Sequence, residues 1–159
     1  MSNTATTLGL RSGLFDRNLS VLAIPATFAV AFLPHTVKVI LLGDRFDNEK
    51  PRAQTNFKVT DDSIYREKIN RLAAIHTNGM ENFPLFAAAV LAANFARLPT
   101  RLLNTFSLSY LASRVLFSFI YYSQSSTTAS VARSVSYFGG MLSSLWVLVK
   151  SGNRLNQLL

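Results

Sequence analysis

The sequence predicts an all-α protein, an integral-membrane four-helix up-down bundle formed by one domain spanning residues 1–159. Three observations carry that expectation. Four apolar runs each come near the roughly 20 residues needed to cross a hydrocarbon core of about 30 Å. The connections after the second and third runs are short, which makes antiparallel neighbours. Hydrophobic residues make up 49% of the chain and charged ones only 15%, whereas a soluble domain carries charge nearer a quarter of its residues.

The first run, about residues 19–42, holds Pro25, Pro34, His35 and Lys38. Proline removes a backbone donor, so this helix should be kinked or loosened. Lys38 lies close enough to its end to snorkel to the interface. The polar residues before it lack a small-residue cleavage site, which reads as a retained anchor. The long connection, about 43–62, mixes charges with Pro51 and reads as a solvated loop. From Asp61 or Asp62, as N-cap, a polar helical extension leads into the second run, about 72–98. Leu98 to Thr100 breaks that helix, and the third run is about 102–122. Ser123 to Thr128 makes a turn rich in capping hydroxyls before the fourth run, about 129–149. A soluble four-helix protein is the rival, but its surface would need polar faces, of which the second and fourth runs have almost none.

The formal charge is +8. The cations are spread over helix ends and one loop, and no basic patch interleaves with aromatics, so no nucleic-acid partner is expected. Cysteine is absent, which removes disulfides and thiolate catalysis by the chain itself. Two distant histidines, His35 and His76, make a metal site unexpected. Basic residues are balanced between the two sides of the bundle, so the positive-inside rule gives no orientation.

The segment RLAAIHTNGMENFPLF, residues 71–86, runs polar groups straight into an apolar stretch. Ionisable groups at membrane depth are costly and persist mainly where they line a site. At 3.6 residues per turn, Arg71, Asn78, Glu81 and Asn82 fall within roughly 100° of arc, with His76 nearly opposite. On the third helix Ser107, Tyr110, Arg114, Ser118 and Tyr121 share about 80°. On the fourth, Arg133, Tyr137, Gly140 and Ser144 share about 60°. A structural role is the plain alternative: Glu81 pairs with Arg71 or Arg114, and the small residues allow close packing. Even so, three arginines against one intramembrane carboxylate leave positive charge over. Buried surplus charge calls for an anionic ligand, and guanidinium grips carboxylates in a bidentate fork.

These residues resemble a known family, the membrane-associated proteins in eicosanoid and glutathione metabolism, which include microsomal glutathione transferases, leukotriene C synthase and microsomal prostaglandin E synthase. HTNGMENFPLF resembles the family's second-helix signature. Arg114 with Tyr121 in SRVLFSFIY resembles the third-helix arginine with its tyrosine seven residues on. ARSVSY, with Arg133, Ser134 and Tyr137, resembles the start of the fourth helix in the prostaglandin-synthase branch. The chain departs from the pattern in the length of the turn between Tyr121 and Arg133, in Ala74 where some relatives have arginine, and in the first-helix basic residue, for which Lys38 and Arg45 are rough counterparts.

The resemblance implies a homotrimer with sites between subunits, and glutathione bound in a polar pocket. It implies that Arg71, Asn78, Glu81, Arg114, Tyr121 and Tyr137 hold glutathione, with Glu81 on its α-amino group and arginines on its carboxylates. Arg133 and Ser134 would face the sulfur, where a cation favours the thiolate. Pro84 would be structural, and His76 a packed or interfacial residue in preference to a base. The expected activity is a glutathione-dependent transferase, peroxidase or isomerase acting on a lipophilic small molecule at the membrane lipid, in the endoplasmic reticulum if the source is a eukaryote. Two alternatives stand beside it: a glutathione-independent biosynthetic enzyme of the same fold, and a non-catalytic protein that binds lipid or a membrane partner.

Overall fold

Asp62 opens the longest helix, its side chain accepting a hydrogen bond from the Ile64 N–H at 3.0 Å. Of the two aspartates expected to cap, this is the one that does so; Asp61 lies outside the described residues. The structure is a computed structural model that describes residues 17–49, 62–123 and 127–157. Among these residues the chain forms four α-helices and no strand: α1 (Ala23–Leu42), α2 (Ser63–Phe95), α3 (Thr100–Ser123) and α4 (Thr127–Asn156), with a 3₁₀ turn, Gly43–Arg45, after α1. The elements follow the expected order. The polar extension of α2 is helical from Ser63, and α4 runs seven residues past its expected end.

The α2–α3 corner ends one helix cleanly. Arg97 takes φ +52°, the Leu98 N–H reaches the Ala93 carbonyl and the Arg97 N–H the Asn94 carbonyl, both at 3.0 Å. This is the Schellman arrangement, with arginine where glycine is usual. Pro99 then forbids continuation. Leu98 packs back beside Ala93 in the core, the apolar contact that accompanies such a cap.

The core lies between α2, α3 and α4. Phe86 is fully buried and stacks on Tyr110, centroids 4.1 Å apart. Ala89, Ala93 and Ala96 are fully buried on the same side of α2; small side chains there let neighbouring backbones approach. On the other side, α1 packs on α2 at Gly79, where an added Cβ would stand 2.8 Å from the Ala31 Cβ and 3.0 Å from its Cα. That approach positions the His76 ring, whose Nδ1 lies 3.0 Å from the Ala31 carbonyl. His76 is therefore packed, as expected, against Phe32 and His35.

At the α2–α3 end, amides tie down the segment entering α1. The fully buried Asn104 accepts from the Leu19 N–H at 2.8 Å and donates to the Arg17 carbonyl at 2.6 Å. Asn94 donates to the Ser20 hydroxyl and accepts from Asn18.

Large apolar side chains face outward on every helix, among them Ile40, Phe95, Phe119 and Val135. Patches of this extent are covered in the working protein by lipid or by another chain. Of the four expected spans, only the segment Ala23–Arg45 is both long enough and apolar enough by composition alone to cross a bilayer. The other helices are long enough, but asparagine, serine and arginine on their inner faces lower their average.

Candidate functional site

Where α2, α3 and α4 converge, a cavity of about 220 Å³ is lined by Asn78, Phe117, Tyr121, Arg133, Ser134, Tyr137 and Phe138. Five of these were expected from the sequence. The aromatic walls Phe117 and Phe138 were not, because an apolar residue on a membrane helix carries no signal that separates lining from packing. Helical spacing explains the convergence: Phe117 and Tyr121 are one turn apart on α3, as are Arg133 and Tyr137 on α4. The Arg133 guanidinium lies 4.7 Å from the centre of the Tyr121 ring. The Ser134 hydroxyl donates to the Ser130 carbonyl at 3.1 Å, and Ser134 is exposed. The Asn78 Oδ1 is buried without a hydrogen-bond donor among the described residues, so it offers a lone pair.

Arg114 sits one turn deeper on α3 and is only 4% exposed. Its Nη2 donates to the Ser136 carbonyl at 2.6 Å, and its guanidinium packs over the Tyr110 and Phe117 rings at 5.2 and 5.3 Å. The Nε and Nη1 hydrogens have no acceptor among the described residues. Gly140 makes this position possible, since a Cβ there would stand 2.5 Å from Nη2. The Ser136 hydroxyl donates across to the Ser113 carbonyl at 3.0 Å, locking α4 on α3 around the guanidinium. Ser136 escaped the sequence reading because what meets Arg114 is its carbonyl, a group that every residue has.

Arg71 lies toward the same end of the bundle, outside the cavity lining. It donates to the Tyr122 carbonyl at 3.0 Å and pairs with Glu67 at 2.5 Å, one turn back on α2. The ion pair anticipated between Glu81 and Arg71 or Arg114 does not form within the chain. Glu67 is exposed and nearer in sequence, so Arg71 takes it. Glu81 is exposed and lines a different cavity of about 670 Å³ between α1 and α2, with His35, Lys38, Ala73, His76, Thr77 and Met80. Residues expected on opposite sides of α2 thus share one opening, because that cavity wraps about 140° of the helix. Pro84 has no N–H for the Met80 carbonyl, which leaves an acceptor beside the same cavity.

One chain therefore presents two polar faces separated by α2. One carries Asn78, the two tyrosines, Arg133 and Ser134, with the buried, under-satisfied Arg114 one turn along α3 and outside the cavity lining. The other carries Glu81, two histidines and Lys38. Among the described residues, no cluster of side chains has the composition of a metal site.

A four-helix bundle with large apolar side chains facing outward on every helix fits a membrane-associated protein. Residues 21–153 match the model of the MAPEG family, and the chain belongs to it. It is a membrane protein of that family. No curated protein and no solved structure matched the chain.

Proposed function

We propose that this protein is a membrane-embedded, glutathione-dependent enzyme, acting as transferase, peroxidase or isomerase on a lipophilic electrophile. The observation that carries the reading is the buried Arg114, with two guanidinium nitrogens, Nε and Nη1, lacking acceptors and no carboxylate lining the pocket beside it. A buried cation left in this state costs several kcal/mol unless an anion joins it. Glutathione fits the donor set: its carboxylates suit guanidinium, and the free Asn78 Oδ1 suits an amide or ammonium hydrogen.

Glutathione, when bound, supplies the nucleophilic sulfur. The chain's own residues do the rest. Arg114 and Asn78 hold the tripeptide, and Arg71 fixes the end of α3 so that Tyr121 stays in place. Tyr121 and Tyr137 offer hydroxyls at the pocket rim. Arg133 would set a positive charge beside the sulfur, and the Ser134 hydroxyl, once turned from the Ser130 carbonyl, would add a donor; together they would favour the deprotonated form. Phe117, almost fully buried, walls the pocket on the α3 side and limits water there, which would strengthen both effects.

A homotrimer completes the site. A pocket of about 220 Å³ is below the usual range for a ligand site, and Glu81 opens onto another face of its own chain. A neighbouring subunit that brings its α1–α2 face against this pocket would supply Glu81 to the α-amino group. In a eukaryotic cell the expected membrane is the endoplasmic reticulum.

The placement of Glu81 away from the arginines within one chain also supports a second reading, a glutathione-independent enzyme or lipid-binding protein of this fold. Calorimetric titration of the purified protein separates the two. Glutathione should bind, and its dicarboxylate ester should bind about ten- to a hundredfold more weakly, as expected for charge-assisted bonds worth about 1.5–3 kcal/mol. Equal affinity for both, or none for either, would move the protein to the second reading.

A further inference from the structure

A second cavity, about 710 Å³, opens between α3 and α4 on the side of Arg114 away from the pocket above. It runs along α3 from Arg101 to Ser113, a length of about 18 Å at the helical rise. That is close to the depth of one leaflet, half of a hydrocarbon core of about 30 Å. The wall has serines but presents little polarity. The hydroxyls of Ser113, Ser136 and Ser143 donate to the carbonyls of Tyr110, Ser113 and Gly140 at 2.7, 3.0 and 2.8 Å. With their hydrogens turned inward, the cleft offers hydrocarbon a groove.

Its mouth is different. Arg101 and Trp146 flank the outer end, and the Lys150 ammonium lies 4.7 Å from the Trp146 ring. Indole and cations at a helix end are the usual furniture of a membrane interface. Five cations gather at this end of the bundle: Arg17, Arg97, Arg101, Lys150 and Arg154. The described acidic residues lie elsewhere, with Asp44, Asp47, Glu49, Asp62 and Glu67 at the opposite end and Glu81 midway along α2.

We propose that the α3–α4 cleft binds an anionic phospholipid, with one acyl chain in the groove and the headgroup phosphate held at its mouth by Arg101 and Lys150. The charge at the mouth and the depth of the groove select this occupant over a neutral chain. The site stands apart from the glutathione reading and survives its failure.

Trp146 is the only tryptophan in the chain, so its fluorescence reports on the cleft directly. The protein is reconstituted in phosphatidylcholine vesicles containing either brominated phosphatidylglycerol or brominated phosphatidylcholine as quencher. Brominated phosphatidylglycerol should quench at the lower mole fraction. Arg101→Gln and Lys150→Gln should each cut that preference about fivefold, the effect of one surface cation on an anionic lipid. Both side chains are exposed, so both variants should fold. Gly139→Leu fills the groove from a position where a Cβ meets nothing within 4 Å, and should reduce quenching by both lipids. Equal quenching by the two lipids, or a preference unchanged in both glutamine variants, would overturn the proposal. Absence of quenching by either lipid would overturn it too, since another chain would then cover the cleft.

Discussion

Arg114 concentrates the physics of the site in one side chain. A guanidinium that is 4% exposed and has two nitrogens, Nε and Nη1, without acceptors is a liability to the ligand-free fold. Ring faces and one carbonyl offset only part of its desolvation. Arg114→Leu should therefore leave the thermal stability of the ligand-free protein unchanged or raise it. The same change should weaken glutathione about ten- to a hundredfold, for a lost charge-assisted bond of about 1.5–3 kcal/mol. Thermal unfolding in detergent with and without glutathione checks both halves. A variant that unfolds earlier without ligand and keeps its glutathione affinity would make Arg114 a packing residue. Glu81→Gln separates the assembled site from the single chain. If a neighbour carries Glu81 to the ligand, it should weaken binding although Glu81 lines a different cavity within its own subunit.

At the scale of the elements, much was legible because it is local. Asp62 at the N-cap, the stop at Leu98–Thr100 and the shared face of Tyr121 with Arg114 need only capping chemistry and a 3.6-residue period. What the sequence hid is what lies across helices. Glu81 was grouped with Arg71 by its angle on α2, but the neighbours that decide its surroundings belong to α1 and come from a distant part of the chain. The role of the Ser136 carbonyl was likewise invisible, since every residue has one. Phe117 and Phe138 read as anonymous hydrocarbon until α2, α3 and α4 are set together.

Helix contacts also set the cost of small changes. At Gly79 an added methyl meets the backbone of α1 at 3.0 Å. The gain of about 1 kcal/mol in helix propensity is then opposed by an overpacking cost of about 1–3 kcal/mol. Gly79→Leu should lower the melting temperature, whereas Gly139→Ala, with open space around its Cβ, should raise it slightly. Asn104→Ala should also destabilise, by about 1–3 kcal/mol, because it strands the Leu19 N–H and the Arg17 carbonyl near the core. Calorimetry of the three variants tests the order; a Gly79→Leu protein as stable as wild type would mean that α1 is not held by that contact.

For the whole molecule, outward apolar faces on all four helices require a covering of lipid or of sister chains. The protein should stay with the membrane through carbonate and high-salt washing, although among the described residues only Ala23–Arg45 is apolar enough by composition to mark itself as a span. Release into the soluble fraction would contradict the embedded bundle. Chemical cross-linking in the membrane should stop at a trimer.

If the basic pocket on this bundle activates a thiol as proposed, Arg133 is the residue to test. The most direct measurement is ultraviolet thiolate absorbance of bound glutathione against pH, for wild type, Arg133→Leu and Ser134→Ala. Wild type should show thiolate at a pH well below that of the free thiol. Arg133→Leu should keep most of the binding but move the thiol pKa back toward its free value and slow turnover of a model electrophile; Ser134→Ala should do less, because a hydroxyl brings no charge. A wild-type protein without a thiolate signal, or an Arg133→Leu variant with the wild-type thiol pKa and rate, would contradict the account.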